Sequence, residues 1–238
     1  MQETGNMGKY VIIEDDVRLG IDVRIGNHVI IYAGSIIGDH TVIQDHAVIG
    51  KQPTRARNSA LPTTVKPLDP VVIGSGCTIG TSSIIYAGAV LGSDVYVADL
   101  ATIRERTVIG EQTIVGRGVA IENDCVIGRA CKLETNSYIT AYSELGNQVF
   151  IAPCVVTTND NNLARGMDPA AKFIGVTVRH GGRIGANATI LPGKVIEEEG
   201  VAGAGSVVTH NIPAREVYLG SPARRLRDVP EHQLLDQP

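Results

Sequence analysis

Asp124, Tyr142 and Asp160 stand 18 residues apart, and Asn136 and Cys154 are separated by the same interval. Carboxylates and imidazoles accept protons, and an Asn amide can orient a nucleophile. His180 lies in the polar run Val178-Arg179-His180-Gly181-Gly182 and is a candidate base. His28, His40 and His46 could offer imidazoles to a divalent metal. Near the end, Gly203-Ala204-Gly205 would let an extended ligand lie against backbone, and Arg224 and Arg225 carry forked donors that suit phosphate. These residues form a site only if the chain brings them together, and the interval of eighteen indicates how.

From Val11 the chain divides into sixes: VIIEDD, VRLGID, VRIGNH, VIIYAG, SIIGDH, TVIQDH, AVIGKQ. The pattern resumes at Val71 and runs to Asp160, then covers Gly182 to Asn211, for 27 hexads in all. The third place is a large aliphatic residue except at Thr157 and Ala202, and the first place is mostly small or β-branched. This explains a chain with 27 Val and 26 Ile against 13 Leu, no Trp and only 4% aromatic residues. A period of six fits neither a helix nor a long alternating strand. It fits a solenoid of short strands in which places one and three point inward and each hexad is one side of a triangular coil. Three hexads make a coil, so about nine coils stack at about 4.8 Å into a prism. The frequent Gly at the fourth place is expected to supply the corner dihedrals.

Residues 18 apart then share a corner. Asp124, Tyr142 and Asp160 line up on one, and Asn136 and Cys154 on another. His28 and His46 should stack, whereas His40, six residues from His46, falls on a different corner, so a surface ladder is expected and no metal. Cys77, Cys125 and Cys131 occupy the inward first place and read as packing thiols, while Cys154 is outward.

Residues 1–10 read as an N-terminal tail and 11–211 as the solenoid. Excursions are expected at 53–70 and 161–181. The first keeps the hexad phase and reads as either a degenerate coil or an extruded loop, whereas the second shifts the phase. Residues 212–238 form a C-terminal extension, in which Ser221-Pro222 reads as the start of a short helix capping the prism. No apolar run approaches the ~18–20 residues of a membrane span. The N-terminus lacks signal-peptide features, and 21 basic against 25 acidic residues give no field for nucleic acid. A cytoplasmic protein is expected.

The hexad pattern resembles that of the left-handed β-helix acyltransferases, over about Val11 to Arg227. The fold this implies is an all-β, left-handed parallel β-helix assembled as a homotrimer, with active sites between adjacent subunits. The C-terminal half is similar to the sugar-nucleotide N-acyltransferases in Lys132-Leu133-Glu134-Thr135-Asn136-Ser137-Tyr138-Ile139, in Thr157-Thr158-Asn159-Asp160 and in Leu219-Gly220-Ser221-Pro222-Ala223-Arg224. That resemblance implies acyl-CoA, either acetyl-CoA or a longer acyl-CoA, as co-substrate and a nucleotide-linked amino-deoxysugar as acceptor. It places Asn136 beside the reacting amine and has Asn159 and Asp160 open the loop over the sugar nucleotide. The family continues with two residues and then Pro-Arg, whereas this chain reads Asn161-Asn162-Leu163-Ala164-Arg165.

The expected catalytic set is thus Asn136, Asp160 and His180. Glu134, Tyr142, Asn159, Asp160 and Arg165 are expected to contact the acceptor, and Gly203, Ala204, Gly205, Arg224 and Arg225 the CoA. Two alternatives stay open: O-acylation of a hydroxylated acceptor, which demands a stronger base, and a metalloenzyme like the γ-class carbonic anhydrases, which use this fold with three His.

Overall fold

Along the chain, places two and three of each hexad form a two-residue strand, such as Ile12–Ile13, Ile30–Ile31 and Thr102–Ile103. The protein's computed structural model describes residues 7–54, 67–165 and 173–235. Each strand pairs in parallel with strands about one coil before and after it, as in Ile84↔Thr102, Thr102↔Ala120 and Ala120↔Tyr138. Three sheets result, of ten, nine and eleven strands. The first runs from Ile12–Ile13 to Val207–Val208, the second from Arg18–Leu19 to Val195–Ile196, and the third from Arg24–Ile25 to Arg224–Asp228. Together they form a left-handed triangular prism whose longest purely parallel sheet is one strand deeper than the nine coils expected.

Third-place residues fill the core. Ile49, Ile85, Ile103 and Ile121 have no exposed surface. Each such side chain contributes roughly 1.5–3 kcal/mol by leaving water. First-place hydroxyls are inward too and bond to main chain: Ser83 Oγ donates to the Ala98 carbonyl at 2.8 Å and Thr107 Oγ1 to that of Glu122 at 2.9 Å.

The corners correct one expectation. Left-handed backbone falls on the sixth place and, among the fourth-place glycines of the described residues, only on Gly50. Asp124, Asn136, Tyr142 and Cys154 have φ of 58°, 58°, 65° and 59°. Fourth-place glycine is required for a different reason. A Cβ on Gly110 would stand 2.6 Å from backbone atoms of Gly128 and Arg129 on the next coil.

Three boundaries differ from the sequence reading. Met7 already bridges to Ile25, so the coil begins inside the expected tail. Thr177–Val178 pairs with Glu144–Leu145 and Val176 is buried, so the coil resumes at Val176, inside the expected excursion 161–181. His180 is therefore a corner residue rather than part of a loop return. Val48 pairs directly with Ile84, so the stack is continuous across 53–70. Most of that segment lies outside the described residues, but Gln52 closes its neck, donating from Nε2 to the Leu68 carbonyl and accepting from the Leu68 amide.

The expected helix at Ser221-Pro222 does not form. Glu216–Leu219 adds to the third sheet, and Arg224–Asp228 folds back on it antiparallel, with Leu219 opposite Arg224 and Glu216 opposite Asp228. Pairing against an open sheet edge satisfies more backbone groups there than a lone helical turn could. The helical content of the end is a single 3-10 turn, Glu231–Gln233.

Candidate active site

Both excursions leave the prism at the same corner, between the first and second sheets, after Gln52 and after Asp160. Between them, the sixth place on this corner carries Gly88, Arg106, Asp124 and Tyr142. The fourth place is just as distinctive. On the corner between the second and third sheets it is Gly on every coil from Gly20 to Gly146. On the Asp124 corner the same place holds Tyr86, Arg104, Glu122, Thr140 and Thr158. From Tyr86 to Thr158 this corner has exchanged backbone-hugging glycine for side chains that bear charge and hydroxyls, whereas the Asn136 corner mixes Gly with Gln44, Ala98, Glu134 and Ala152.

These side chains form a connected network. Arg106 grips Asp124 with Nε and Nη2 at 2.6 and 2.7 Å, and Asn123 Nδ2 donates to the same carboxylate at 2.6 Å. Arg104 donates from Nε and Nη2 to the buried Glu105 carboxylate at 2.8 and 3.2 Å and faces Glu122 at 3.7 Å. The Arg104 guanidinium lies over the Tyr86 ring at 4.9 Å, with Lys51 at 5.8 Å from the same ring. Bidentate pairing and stacking hold each group in place.

The outer face of the first sheet joins this corner to the Asn136 corner, which lies between the third and first sheets. One rung of the face reads Asn136, Tyr138, Thr140, Tyr142, and the rung before it Gly118, Ala120, Glu122, Asp124. Residues 118 and 120 are small, and the Asn136 amide lies over Gly118. The Tyr138 hydroxyl lies beside Glu122 and Thr140, and burial, followed by the Glu122 charge, raises its pKa above the usual phenol value. Thr157, one of the two breaks in the third-place rule, sits directly behind this rung. Its buried Oγ1 accepts from the Thr140 amide at 2.8 Å and donates to the Tyr138 carbonyl at 3.1 Å. A side chain thus replaces a ladder bond under Tyr138 and Thr140.

The structure brings Asn136, Tyr142, Asn159 and Asp160 onto or beside this face. Asn136 is exposed at one margin, with Cys154, Asn187 and Gly205 following on the same corner. Tyr142 and Asp160 stand at the other margin. The Asp160 carboxylate is already engaged, Oδ1 accepting from the Asn162 amide and Oδ2 from the Ala164 amide, each at 2.7 Å. These backbone donors hold its pKa below the usual carboxylate value, which makes it a weak proton acceptor. The Asn159 carbonyl accepts from the Ile174 amide and closes the neck of the excursion, and Arg165 is exposed just inside it. Glu134 is half-buried on the third-sheet side of the Asn136 corner.

His180 is on the third corner, away from Asn136 and Asp160 in the same chain. Its Nδ1 lies 3.0 Å from the Asn147 carbonyl. A carbonyl can only accept, so Nδ1 carries the proton and Nε2 keeps a lone pair. Gly205 has φ +67°, and nothing would touch a Cβ there, so bare backbone faces outward at Gly205, whereas Leu219 packs over Gly203. Arg225 is already held by Glu216 at 3.0 Å and Asp228 at 2.6 Å, whereas exposed Arg224 spends one donor on the Ala223 carbonyl. Glu122 was weighed from the sequence as a fourth-place carboxylate, whereas Tyr138, Arg104 and Arg106 were not singled out. Sorting the hexads into three sets by position modulo 18 would have exposed them.

His28 and His46 do stack, at 4.9 Å and 1° between planes, and Tyr10 extends the ladder. His40 stands on another corner near Asp22. Among the described residues, no group of three or more His, Cys, Asp or Glu is arranged to hold a metal ion. Nor is any helix among them long and apolar enough to cross a membrane.

Residues 16–51 match the family model described as bacterial transferase hexapeptide (six repeats), and residues 70–98 that described as hexapeptide repeat of succinyl-transferase. The chain carries hexapeptide repeats of the kind those models describe. Among relatives of this hexapeptide-repeat protein, mitochondrial gamma carbonic anhydrase 1 of Arabidopsis thaliana is 31% identical over 151 residues, covering 61% of this chain and 52% of that protein. The dTDP-3-amino-3,6-dideoxy-alpha-D-galactopyranose 3-N-acetyltransferase of Aneurinibacillus thermoaerophilus is 49% identical over 47 residues, covering 20% and 24%. The chain spans about half the length of the curated carbonic anhydrases it matches. Among solved structures, the UDP-N-acetylglucosamine O-acyltransferase of Moraxella catarrhalis RH4 superposes with a TM-score of 0.65 at 19% identity, covering 95% of this chain and 76% of that one. This likeness shows the fold.

Proposed function

We propose that the protein is an acyltransferase that moves an acyl group from acyl-CoA to the amino group of a nucleotide-linked amino-deoxysugar. The observation that carries this reading is the Asn136 corner. It runs straight from the bare backbone of Gly205, beside Gly203 and Ala204, past Asn187 and Cys154 to Asn136, three coil spacings or about 14 Å. The similarity over 47 residues to an amino-sugar 3-N-acetyltransferase supports the acceptor class.

In this reading the pantetheine arm lies along that edge with its thioester beside Asn136, and Arg224 reaches the CoA phosphates. Asn136 orients the amine. The amine lone pair attacks the thioester carbonyl carbon, a C–N bond forms, the C–S bond breaks and CoA leaves as thiolate. Alignment of the two reactants supplies much of the rate. Backbone N–H groups fixed by the coil stabilise the oxyanion without reorganising.

Tyr142, Asn159, Arg165 and Glu134 contact the acceptor, with Asp160 shaping the loop from below. Ile36, Val72, Val90, Val108 and Val126 form an aliphatic stripe on the outer face of the second sheet, most of it exposed. This stripe supports a subunit contact, and in a homotrimer it would bring another corner, including His180 of a neighbour, toward Asn136.

A thiol-release assay pairing several acyl-CoAs with a panel of amino-sugar nucleotides and hydroxylated analogues tests the reading. CoA release that requires the amino group is expected. Release only with hydroxyl acceptors would replace it with O-acylation.

A further inference from the structure

We infer that Tyr138 and Glu122 form the proton relay that deprotonates the attacking nucleophile. The inference rests on the proposed acyl transfer and adds a catalytic pair to it. Three features place the pair. Tyr138 is two residues from Asn136 on the same rung and the same outer face. Ala120, with its short side chain, stands in register with Tyr138. Glu122 follows two residues later on the neighbouring strand and lies beside the Tyr138 hydroxyl.

The groups facing Glu122 are Arg104 at 3.7 Å and, beyond it, Glu105, with Asp124 on the same coil and Tyr138 and Cys125 nearby. Thr140, whose amide is tied to Thr157, also lies beside the phenol. Within one chain, neither of the other candidate bases is as well placed. Asp160 is occupied by amides, and His180 is on another corner of the same chain.

The step balances without further reagents. As the C–N bond forms, the nitrogen gives a proton to Tyr138 Oη while the Tyr138 proton passes to a Glu122 carboxylate oxygen. The tetrahedral adduct collapses to the amide and CoA thiolate. The proton on Glu122 returns through Tyr138 to the thiolate or to solvent.

The test compares Tyr138→Phe, Glu122→Gln and, as a control tyrosine exposed on the third sheet, Tyr96→Phe with the parent protein in the thiol-release assay, with melting temperature as the check on folding. Tyr138→Phe and Glu122→Gln are expected to lower kcat by about a hundredfold while leaving KM for acyl-CoA within about twofold, and Tyr96→Phe to retain most of kcat. Tyr138→Phe keeps the ring and its packing, so it reports on the hydroxyl even if Glu122→Gln disturbs Arg104. Folded Tyr138→Phe and Glu122→Gln proteins with near-parental kcat would overturn the relay and leave the acyl-transfer reading intact. A parent protein without turnover on any acceptor would overturn both.

Discussion

Tyr138 lies in register with Ala120 on the neighbouring coil, and Glu122, two residues beyond Ala120, lies beside the Tyr138 hydroxyl. Second-place residues point outward, so a larger side chain at 120 would crowd the phenol without entering the core. Ala120→Val is therefore expected to melt within a few degrees of the parent protein while losing at least about tenfold in turnover. Thermal unfolding and the thiol-release assay measure the two effects side by side.

The four thiols should divide cleanly. Burial pushes Cys125 up to about 12 and raises Cys77 and Cys131, whereas Cys154 is exposed. Only the thiolate reacts. A disulfide reagent at neutral pH should titrate Cys154 rapidly and the other three only after denaturation. Fast reaction at all four would mean that the coils around Cys125 open readily.

Glycines on the coil have two separate duties, and substitution distinguishes them. Gly110→Ala puts a Cβ 2.6 Å from backbone of the next coil, which cannot move without separating the rungs. It should cost several times more stability than Gly205→Ala. At Gly205 the φ of +67° is strained for Ala but the space is open, for a cost of about 1–2 kcal/mol. Denaturant midpoints of the two variants decide this.

Asp160 should titrate low. Amides of Ala164 and Asn162 stabilise the carboxylate, so its folded pKa lies below its unfolded one. Stability from this contact is present above the unfolded pKa, near 3.8, and is lost only as pH falls through the lower folded value. Carbon-detected NMR of the carboxyl should show a midpoint below 3.8, moved back toward it by mutations that open the loop.

Much of the fold is legible because each hexad repeats the same local choice. A large residue such as Ile103 and a small one such as Ala101 can both point inward only on a short strand. The corners were harder to read, because glycine at 110 signals a close approach and not the left-handed dihedral, which falls on residues as unlike as Asp124 and Tyr142. Ser221-Pro222 carries a local helix signal, but an unpaired sheet edge outweighs it. In the site, the interval of eighteen correctly aligned Asn136 with Cys154 and Asp124 with Tyr142. It did not draw attention to Tyr138, whose meaning depends on which of three faces it occupies. The orientation of the Asp160 carboxylate follows from the excursion's turn, which the hexad pattern does not encode.

The central claim is that acyl transfer takes place on the face between the Asn136 and Asp124 corners. A crystal structure of the protein with bound CoA tests it most directly. The account predicts CoA along the edge from Gly203–Gly205 with its sulfur beside Asn136 and within reach of Tyr138. A sulfur seated against Nε2 of His180 and away from Asn136 and Tyr138, or an Asn136 edge left empty at saturating CoA, would contradict it.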